Sequence, residues 1–205
     1  MALFHWPETR KYSSRLFFML VMTFCACSIA LSGQAMAAEK AADRNIPPRY
    51  GLGLSLGLAY LPSDARNFMN ITGFALYDYE DIWPHRAPQQ LRFKVEASLG
   101  GTLRSDTDVM ASAGFLALYY FDGFRTRLLR PFGEAGVGII YTDYKVRKQG
   151  SRLNFNPQAG LGLDITPESG PDFWTSIRLH HLSNAGLKKD NRGVNSLVFQ
   201  LGIYF

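Results

Sequence analysis

A period of two in the placement of apolar residues recurs in eight segments after Pro47. In the first segment, residues 51–60, leucines and Tyr60 alternate with glycine, serine and alanine. Strict alternation predicts a β-strand, because successive side chains of a strand point to opposite faces. Seven similar segments follow, at about 68–79, 89–100, 109–121, 130–144, 152–165, 172–183 and 194–205. The sequence therefore predicts an all-β protein with eight strands.

The chemistry of the two strand faces indicates a membrane barrel. Over residues 89–100, Arg92, Lys94 and Glu96 alternate with large apolar side chains, and over residues 152–165 asparagine and glutamine do so. Bulky apolar groups outside and small or polar groups inside are typical of outer-membrane barrels. A soluble lipocalin-type barrel is the alternative, but it would enclose large apolar side chains. We predict an eight-stranded antiparallel transmembrane β-barrel of the bacterial outer membrane over residues 49–205.

Composition excludes several other classes of protein. The mean hydropathy of −0.08 argues against a helical membrane bundle, whereas alternating strands average near zero. The chain has 22 Lys and Arg against 17 Asp and Glu, and its net charge of +5 is too small to indicate a nucleic-acid partner.

The first 37 residues have the pattern of a secretory signal. Basic residues at positions 10, 11 and 15 precede an apolar run over residues 16–31, and the small-residue site Ala35-Met36-Ala37 follows. We expect cleavage after Ala37 and a short periplasmic segment over residues 38–48; an uncleaved transmembrane anchor is the alternative. Both cysteines, Cys25 and Cys27, lie in the signal. The mature chain is therefore expected to lack disulfides, thiolate metal sites and a cysteine nucleophile.

Alternation also predicts what lies inside the barrel and at its rims. Inward parity predicts a charge network in the lumen, formed by Arg92, Lys94, Glu96, Glu134 and Arg178. Aromatic residues near strand ends predict an interfacial girdle that includes Tyr60, Tyr79, Trp83 and Trp174.

In the seventh predicted strand, the same alternation places a hydroxyl and an imidazole on the lipid-facing wall. His181 and Ser183 have the parity of the outward apolar residues, whereas His180 has the opposite parity. Residues i and i+2 lie ~6.5–7 Å apart along a strand, and side chains leaning together can close this to the reach of a nucleophile and its base. Asn195 has outward parity on the eighth strand and can lie across from them. Ordinary polar residues at strand ends are the alternative.

The wider stretch around these residues resembles a known enzyme family. Residues 181–188, HLSNAGLK, followed by residues 191–195, NRGVN, resemble the C-terminal signature of the PagL-type lipid A 3-O-deacylases. The resemblance implies an eight-stranded outer-membrane barrel and a carboxylic ester hydrolase that removes an acyl chain from lipid A, at the 3-position. It also implies roles for individual residues: nucleophile Ser183, base His181, and an oxyanion site to which Asn184, Ala185 and Gly186 contribute. The terminal strand, which ends at Phe205, resembles the assembly signal of such barrels.

Position 195 departs from the family pattern, which has a glutamate fourteen residues after the histidine. Asn195 can accept a hydrogen bond from the imidazole, but it cannot offset the positive charge that the imidazole acquires during catalysis. Two hypotheses follow: a working Ser-His-Asn hydrolase, or a barrel of this family with low or altered activity. Asp190, in the same loop, is a candidate substitute carboxylate.

The expected partner is lipid A, or lipopolysaccharide, in the outer leaflet of the outer membrane. Lys188, Lys189 and Arg192 are candidates to meet its phosphates, with an ordinary solvated basic loop as the alternative. We expect no metal, no cofactor and no nucleic acid, and homodimerisation stays open. The competing function is a structural or adhesion barrel, in which Ser183 and His181 have no chemical role.

Overall fold

The computed structural model describes residues 46–83, 85–103 and 108–205, which form an antiparallel sheet closed into a barrel. Its strands are β1 (Arg49–Leu61), β2 (Phe68–Asp78), β3 (Leu91–Thr102), β4 (Val109–Tyr120), β5 (Leu129–Thr142), β6 (Leu153–Phe155), β7 (Gln158–Ile165), β8 (Phe173–Leu182) and β9 (Val194–Tyr204). β1 pairs with β9 and β4 with β5, so that no edge is left open. The predicted signal over residues 1–37 and most of the segment 38–48 lie outside the described residues.

Strands β6 and β7 together form the sixth strand of the barrel, so the described segments make eight spanning strands. Pro157 lies at the break between them, because proline has no N–H to donate to a neighbouring strand. The pairing keeps its register across the break: Phe155 lies opposite Ile139 of β5, and Gln158 lies opposite Gly136. The predicted fold class and strand count are confirmed.

The outer surface of the barrel is apolar. Large hydrophobic side chains that are more than half exposed surround it, among them Leu54, Ile71, Leu99, Phe115, Ile139, Leu161 and Leu201. Such a belt matches a barrel whose wall faces lipid. Among the described residues, no helix is long and apolar enough to cross a membrane.

The small inner face of β1 accommodates aromatic rings from β2. A Cβ on Gly57 would collide with the Phe68 ring, and a Cβ on Gly51 would lie 2.6 Å from Cε1 of Phe74. The glycines that the sequence places inside the barrel therefore provide the space that these two rings fill.

Side chains fill the lumen in three layers. The layer at the end opposite Arg49 and Phe205 is an apolar cluster that consists of Phe68, Met110, Ile140, Tyr144, Val146, Leu182, Val194 and Val198. The layer near Arg49 and Phe205 is a second cluster, which consists of Phe74, Leu76, Leu118, Tyr120, Phe132, Trp174 and Tyr204. Between them lies an ion network, defined here as Lys94, Glu96, Glu134 and Arg178.

Two predictions about individual lumen residues are wrong. Arg92 lies outside the ion network, and its guanidinium is 3.6 Å from Asp78, near the end of the barrel where β1 begins and β9 ends. Trp174 does not belong to an interfacial girdle, because it is 1% exposed and shares the inward parity of Arg178. The contacts of Arg92 depend on its position along β3, and those of Trp174 depend on its inward parity in β8.

The long turn between β2 and β3 contains a short helix, α1 (Tyr79–Ile82). Asp78 caps this helix, since its side chain accepts a hydrogen bond of 3.0 Å from the Glu80 N–H. The helix occupies part of this turn, which lies at the same end of the barrel as Arg49.

The close approach of β1 to β9 predicts that Gly53→Ala destabilises the barrel. A Cβ at position 53 would lie 2.6 Å from the Gly202 Cα and would also strike the Leu201 carbonyl oxygen. Such overpacking costs about 1–3 kcal/mol, measurable as a lower free energy of unfolding in urea titrations of the protein in lipid vesicles. The matched control is Gly73→Ala on β2, where the nearest atom is 3.7 Å away. Equal stability of the two variants would contradict this packing.

Candidate active site

Strands β8 and β9 form a hairpin that brings the predicted imidazole and amide together. His181 lies directly opposite Asn195 in the ladder, and its Nδ1 is 2.5 Å from the Asn195 Oδ1. Because a carbonyl oxygen only accepts, the imidazole Nδ1–H is the donor in this hydrogen bond. The Nε2 atom of the neutral ring is then free of a proton, which is the form that a general base requires.

Ser183 follows directly on β8, and the sixth strand fixes its backbone. The Ser183 N–H donates to the Phe155 carbonyl at 3.0 Å, and the Phe155 N–H donates to the Ser183 carbonyl at 2.8 Å. Ser183 shares the parity of His181, one i to i+2 step of ~6.5–7 Å further along the strand. The fold thus gathers the hydroxyl, the imidazole and the amide on one part of the outer wall.

The His181 ring is only 6% exposed although it belongs to the outer face. Gly193 covers it: a Cβ at that position would lie 2.6 Å from the ring Cε1 and 3.0 Å from Nε2. A side chain at position 193 would therefore collide with the His181 ring in its present position. His180 points the other way, into the lumen, where its ring centroid is 6.0 Å from that of Phe68.

The three predicted oxyanion residues differ in how available their N–H groups are. The Asn184 N–H donates to the Asn191 Oδ1 at 2.8 Å, and the Gly186 N–H donates to the Asn184 Oδ1 at 3.0 Å. Within the described ranges the Ala185 N–H has no acceptor, which leaves it available to a substrate. Ala185 and Gly186 have φ angles of 53° and 85°, so the chain turns sharply here.

Asn184 organises the loop of residues 183–193. Asn184 is 2% exposed, and its side-chain Nδ2 donates to the Asp190 carbonyl at 2.8 Å. The main-chain carbonyl of Asn184 accepts from the Leu187 N–H at 3.0 Å. Asp190, the candidate substitute carboxylate, contributes its main-chain oxygen to this arrangement. Lys188 is exposed on the same loop.

The loop of residues 183–193 docks on the loop of residues 143–152. The Gly150 N–H donates to the Asp190 carbonyl, and the Arg192 N–H donates to the Lys148 carbonyl, both at 2.8 Å. Asp64 bridges them from the β1–β2 loop: it accepts from the Arg147 N–H at 2.8 Å and lies 3.6 Å from the Arg192 guanidinium. The hydrogen bond from Arg147 holds the pKa of Asp64 below its ordinary value.

Three residues that position this site are not singled out by the sequence patterns. Phe155 fixes the backbone of Ser183, Asn191 receives the Asn184 N–H, and Gly193 covers His181. Asn191 and Gly193 lie inside the motif, but their roles depend on how the loop folds back on β8. Among the described residues, no group of three or more His, Cys, Asp and Glu side chains is placed to hold a metal ion.

The hydrogen bonds of Asn184 predict that Asn184→Ala loosens the loop without unfolding the barrel. The variant loses the hydrogen bonds that the Asn184 side chain makes with the Asp190 carbonyl and with the N–H groups of Gly186 and Lys188, each worth about 0.5–1.5 kcal/mol. We expect trypsin to cleave the variant faster than the wild type after Lys188, Lys189 or Arg192. Mass spectrometry of the fragments measures the rate at each position. Leu187→Ala is the control, because this side chain is 74% exposed. Identical cleavage rates for both variants would show that Asn184 does not hold the loop.

Comparison with known proteins places this fold and motif in a family. The sequence model of the family described as lipid A 3-O-deacylase (PagL) matches residues 73–204. The lipid A deacylase PagL of Pseudomonas aeruginosa is 34% identical over 88 residues, which are 42% of this chain and 48% of that protein. The match thus spans about half the length of this curated relative.

Two crystal structures share the barrel. That of the outer membrane enzyme PagL has a TM-score of 0.53 at 22% identity and covers 75% of this chain and 98% of its own. That of Neisserial surface protein A has a TM-score of 0.51 at 15% identity, with 77% and 95% covered. These likenesses support the fold, and the family match covers most of the barrel and the whole motif. The chain belongs to the PagL family of outer-membrane β-barrels.

Proposed function

We propose that this protein hydrolyses an ester-linked acyl chain of lipid A, at the 3-position, in the outer leaflet of the outer membrane. The observation that carries the proposal is the hydrogen-bonded pair of His181 and Asn195 beside Ser183, on a wall that faces lipid. Membership of a family described as lipid A 3-O-deacylases supports this choice of substrate.

In this proposal Ser183 is the nucleophile and His181 the general base. The Nε2 atom of His181 takes the hydroxyl proton as Oγ attacks the ester carbonyl carbon, and the Ala185 N–H donates to the oxyanion. The tetrahedral intermediate collapses to an acyl-serine, and the protonated imidazole returns the proton to the departing sugar oxygen. Water, deprotonated by the same imidazole, then attacks the acyl-serine and releases the fatty acid.

The surroundings of the site suit a substrate that stays in the membrane. Leu179 lies two residues before His181 on the same face and is 45% exposed, and Phe155 beside Ser183 is 37% exposed. An acyl chain can lie along this apolar wall while its ester reaches the hydroxyl. We place the barrel end at Arg49 and Phe205 on the periplasmic side, so that the site end lies at the outer leaflet, where lipid A resides.

Asn195 limits the rate that this arrangement can reach. Its amide oxygen selects the imidazole tautomer, as a carboxylate does, but it adds no negative charge beside the imidazolium. This absence of charge favours a second candidate function, a catalytically weak or inactive barrel that serves the envelope as a structural or adhesion protein. The two candidates differ in whether Ser183 is needed.

Replacing the nucleophile tests the proposed function directly. We expect the wild-type protein, produced in outer membranes, to remove one hydroxyacyl chain from lipid A, and Ser183→Ala and His181→Ala to abolish this loss. Mass spectrometry of extracted lipid A measures the change. Ser63→Ala, on an exposed turn of the β1–β2 loop, is the matched serine control. Deacylation that persists in the Ser183→Ala sample would overturn the assigned nucleophile.

Restoring the carboxylate separates a slow enzyme from a structural barrel. We expect Asn195→Glu to raise the rate of deacylation by about ten-fold or more, because a carboxylate stabilises the imidazolium that forms with the transition state. Rates are compared at equal amounts of folded barrel in detergent micelles. A folded Asn195→Glu protein that leaves lipid A intact, as the wild type then would, supports the structural barrel instead.

A further inference from the structure

One side of the site end is strongly basic. We define the cationic platform as the two docked loops, residues 143–152 and 183–193. Its basic residues are Lys145, Arg147, Lys148, Arg152, Lys188, Lys189 and Arg192, of which all but Arg192 are exposed. The sequence motif contains only the last three of them, so the loop of residues 143–152 contributes the majority.

The docking of the two loops places these charges on one surface. The hydrogen bonds from Gly150 to Asp190 and from Arg192 to Lys148 join the main chains. A Cβ on Gly150 would lie 2.8 Å from the Cβ of Lys188, so the loops touch where the Lys188 side chain begins. Lys148 and Lys188 therefore belong to one patch, close to the end of β8 that carries Ser183.

The protein neutralises little of this charge itself. Within the described ranges, the one ion pair that reaches the platform joins Arg192 to Asp64. Of the platform's two acids, Asp143 accepts a hydrogen bond of 2.7 Å from the Tyr141 hydroxyl, and Asp190 contributes its carbonyl to the loop contacts. An exposed patch of one sign attracts ligands of the opposite sign.

The backbone of the platform is held in an unfavourable conformation. Lys148 has a φ of 66°, and in the described part of the chain Ala185 is the other non-glycine residue with positive φ. Residues with a Cβ adopt this region when surrounding contacts fix them there, and such positions cluster at binding and catalytic sites. Both residues lie in the docked loops, one on each side of the contact.

We propose that the cationic platform binds the phosphate groups of a lipid headgroup in the outer leaflet, with Arg147 and Lys148 acting together with Lys188 and Lys189. Phosphate oxygens accept charge-assisted hydrogen bonds from guanidinium and ammonium groups. The headgroup then lies over the platform while an ester below it reaches Ser183. The identity of the lipid as the substrate rests on the proposed function; the binding of its phosphates does not.

Binding to a protein that leaves the lipid intact tests this proposal. Ser183→Ala protein in detergent micelles is titrated by calorimetry with bisphosphorylated lipid A and with the same lipid after removal of its phosphates. We expect Arg147→Gln combined with Lys148→Gln to weaken binding of the phosphorylated lipid by about ten-fold or more. Binding of the dephosphorylated lipid is expected to be unchanged.

The control variant carries Arg125→Gln and Arg127→Gln, two exposed arginines at the opposite end of the barrel. It is expected to bind as Ser183→Ala alone does. Equal affinity of the platform variant and this control for phosphorylated lipid A would overturn the proposal. Full displacement of the lipid by excess inorganic phosphate would also overturn it, because the site would then recognise a free anion.

Hydrolysis by the wild-type protein in the same micelles tests the proposed function separately. Phosphate-dependent binding without hydrolysis would contradict the proposed enzymatic function and support phosphate binding by the cationic platform. Hydrolysis together with phosphate-independent binding would support the enzymatic function and contradict phosphate binding by the cationic platform.

Discussion

Four buried charged side chains form the ion network across the middle of the lumen. The Arg178 guanidinium on β8 contacts Glu134 on β5 at 2.6 Å and Glu96 on β3 at 2.7 Å, so one side chain joins three parts of the wall. Removing one partner from a buried ion pair costs about 3–5 kcal/mol, because the remaining charge is left without compensation. Arg178 therefore fixes the inward face of β8, and three residues later this alternation turns His181 outward.

The candidate site therefore lies on the outer surface of the barrel wall and not in the lumen. Apolar clusters fill both ends of the lumen, while the outer surface presents leucines and isoleucines to lipid. A hydroxyl and an imidazole on that surface meet a membrane lipid directly, with no need for it to enter the barrel. The loop of residues 183–193 completes the site, because Gly193 covers the imidazole and Asn184 holds the turn beside Ser183.

Alternation predicts a large part of this arrangement because each barrel strand is constrained on both faces. The eight strands, the outward parity of His181 and the position of Asn195 across from it all follow from a period of two. Parity also predicts that Trp174 points inward, and the preference of tryptophan for membrane interfaces misleads where the two disagree. Arg92 has the correct parity, but its distance along β3 places it beside Asp78 and away from the ion network.

The loops are less predictable because their contacts join residues far apart in the chain. The pairing of Gly150 with Asp190 and the occupation of the Asn184 and Gly186 N–H groups leave no periodic signal. Local motif spacing therefore identifies the chemical groups of the site, and only the folded loops reveal which N–H is available to a substrate.

The pairing of β9 links the candidate site to closure of the barrel. β9 joins β8 on one side and β1 on the other, and Asn195 lies opposite both His181 and, at an irregularity in the ladder, Leu61. A chain that has formed its first seven strands already carries Ser183 and His181, but the imidazole lacks the amide that orients it. The strand that closes the barrel is thus also the one that brings Asn195 opposite His181. Under the proposed function, hydrolysis therefore requires the same pairing of β9 that closes the barrel.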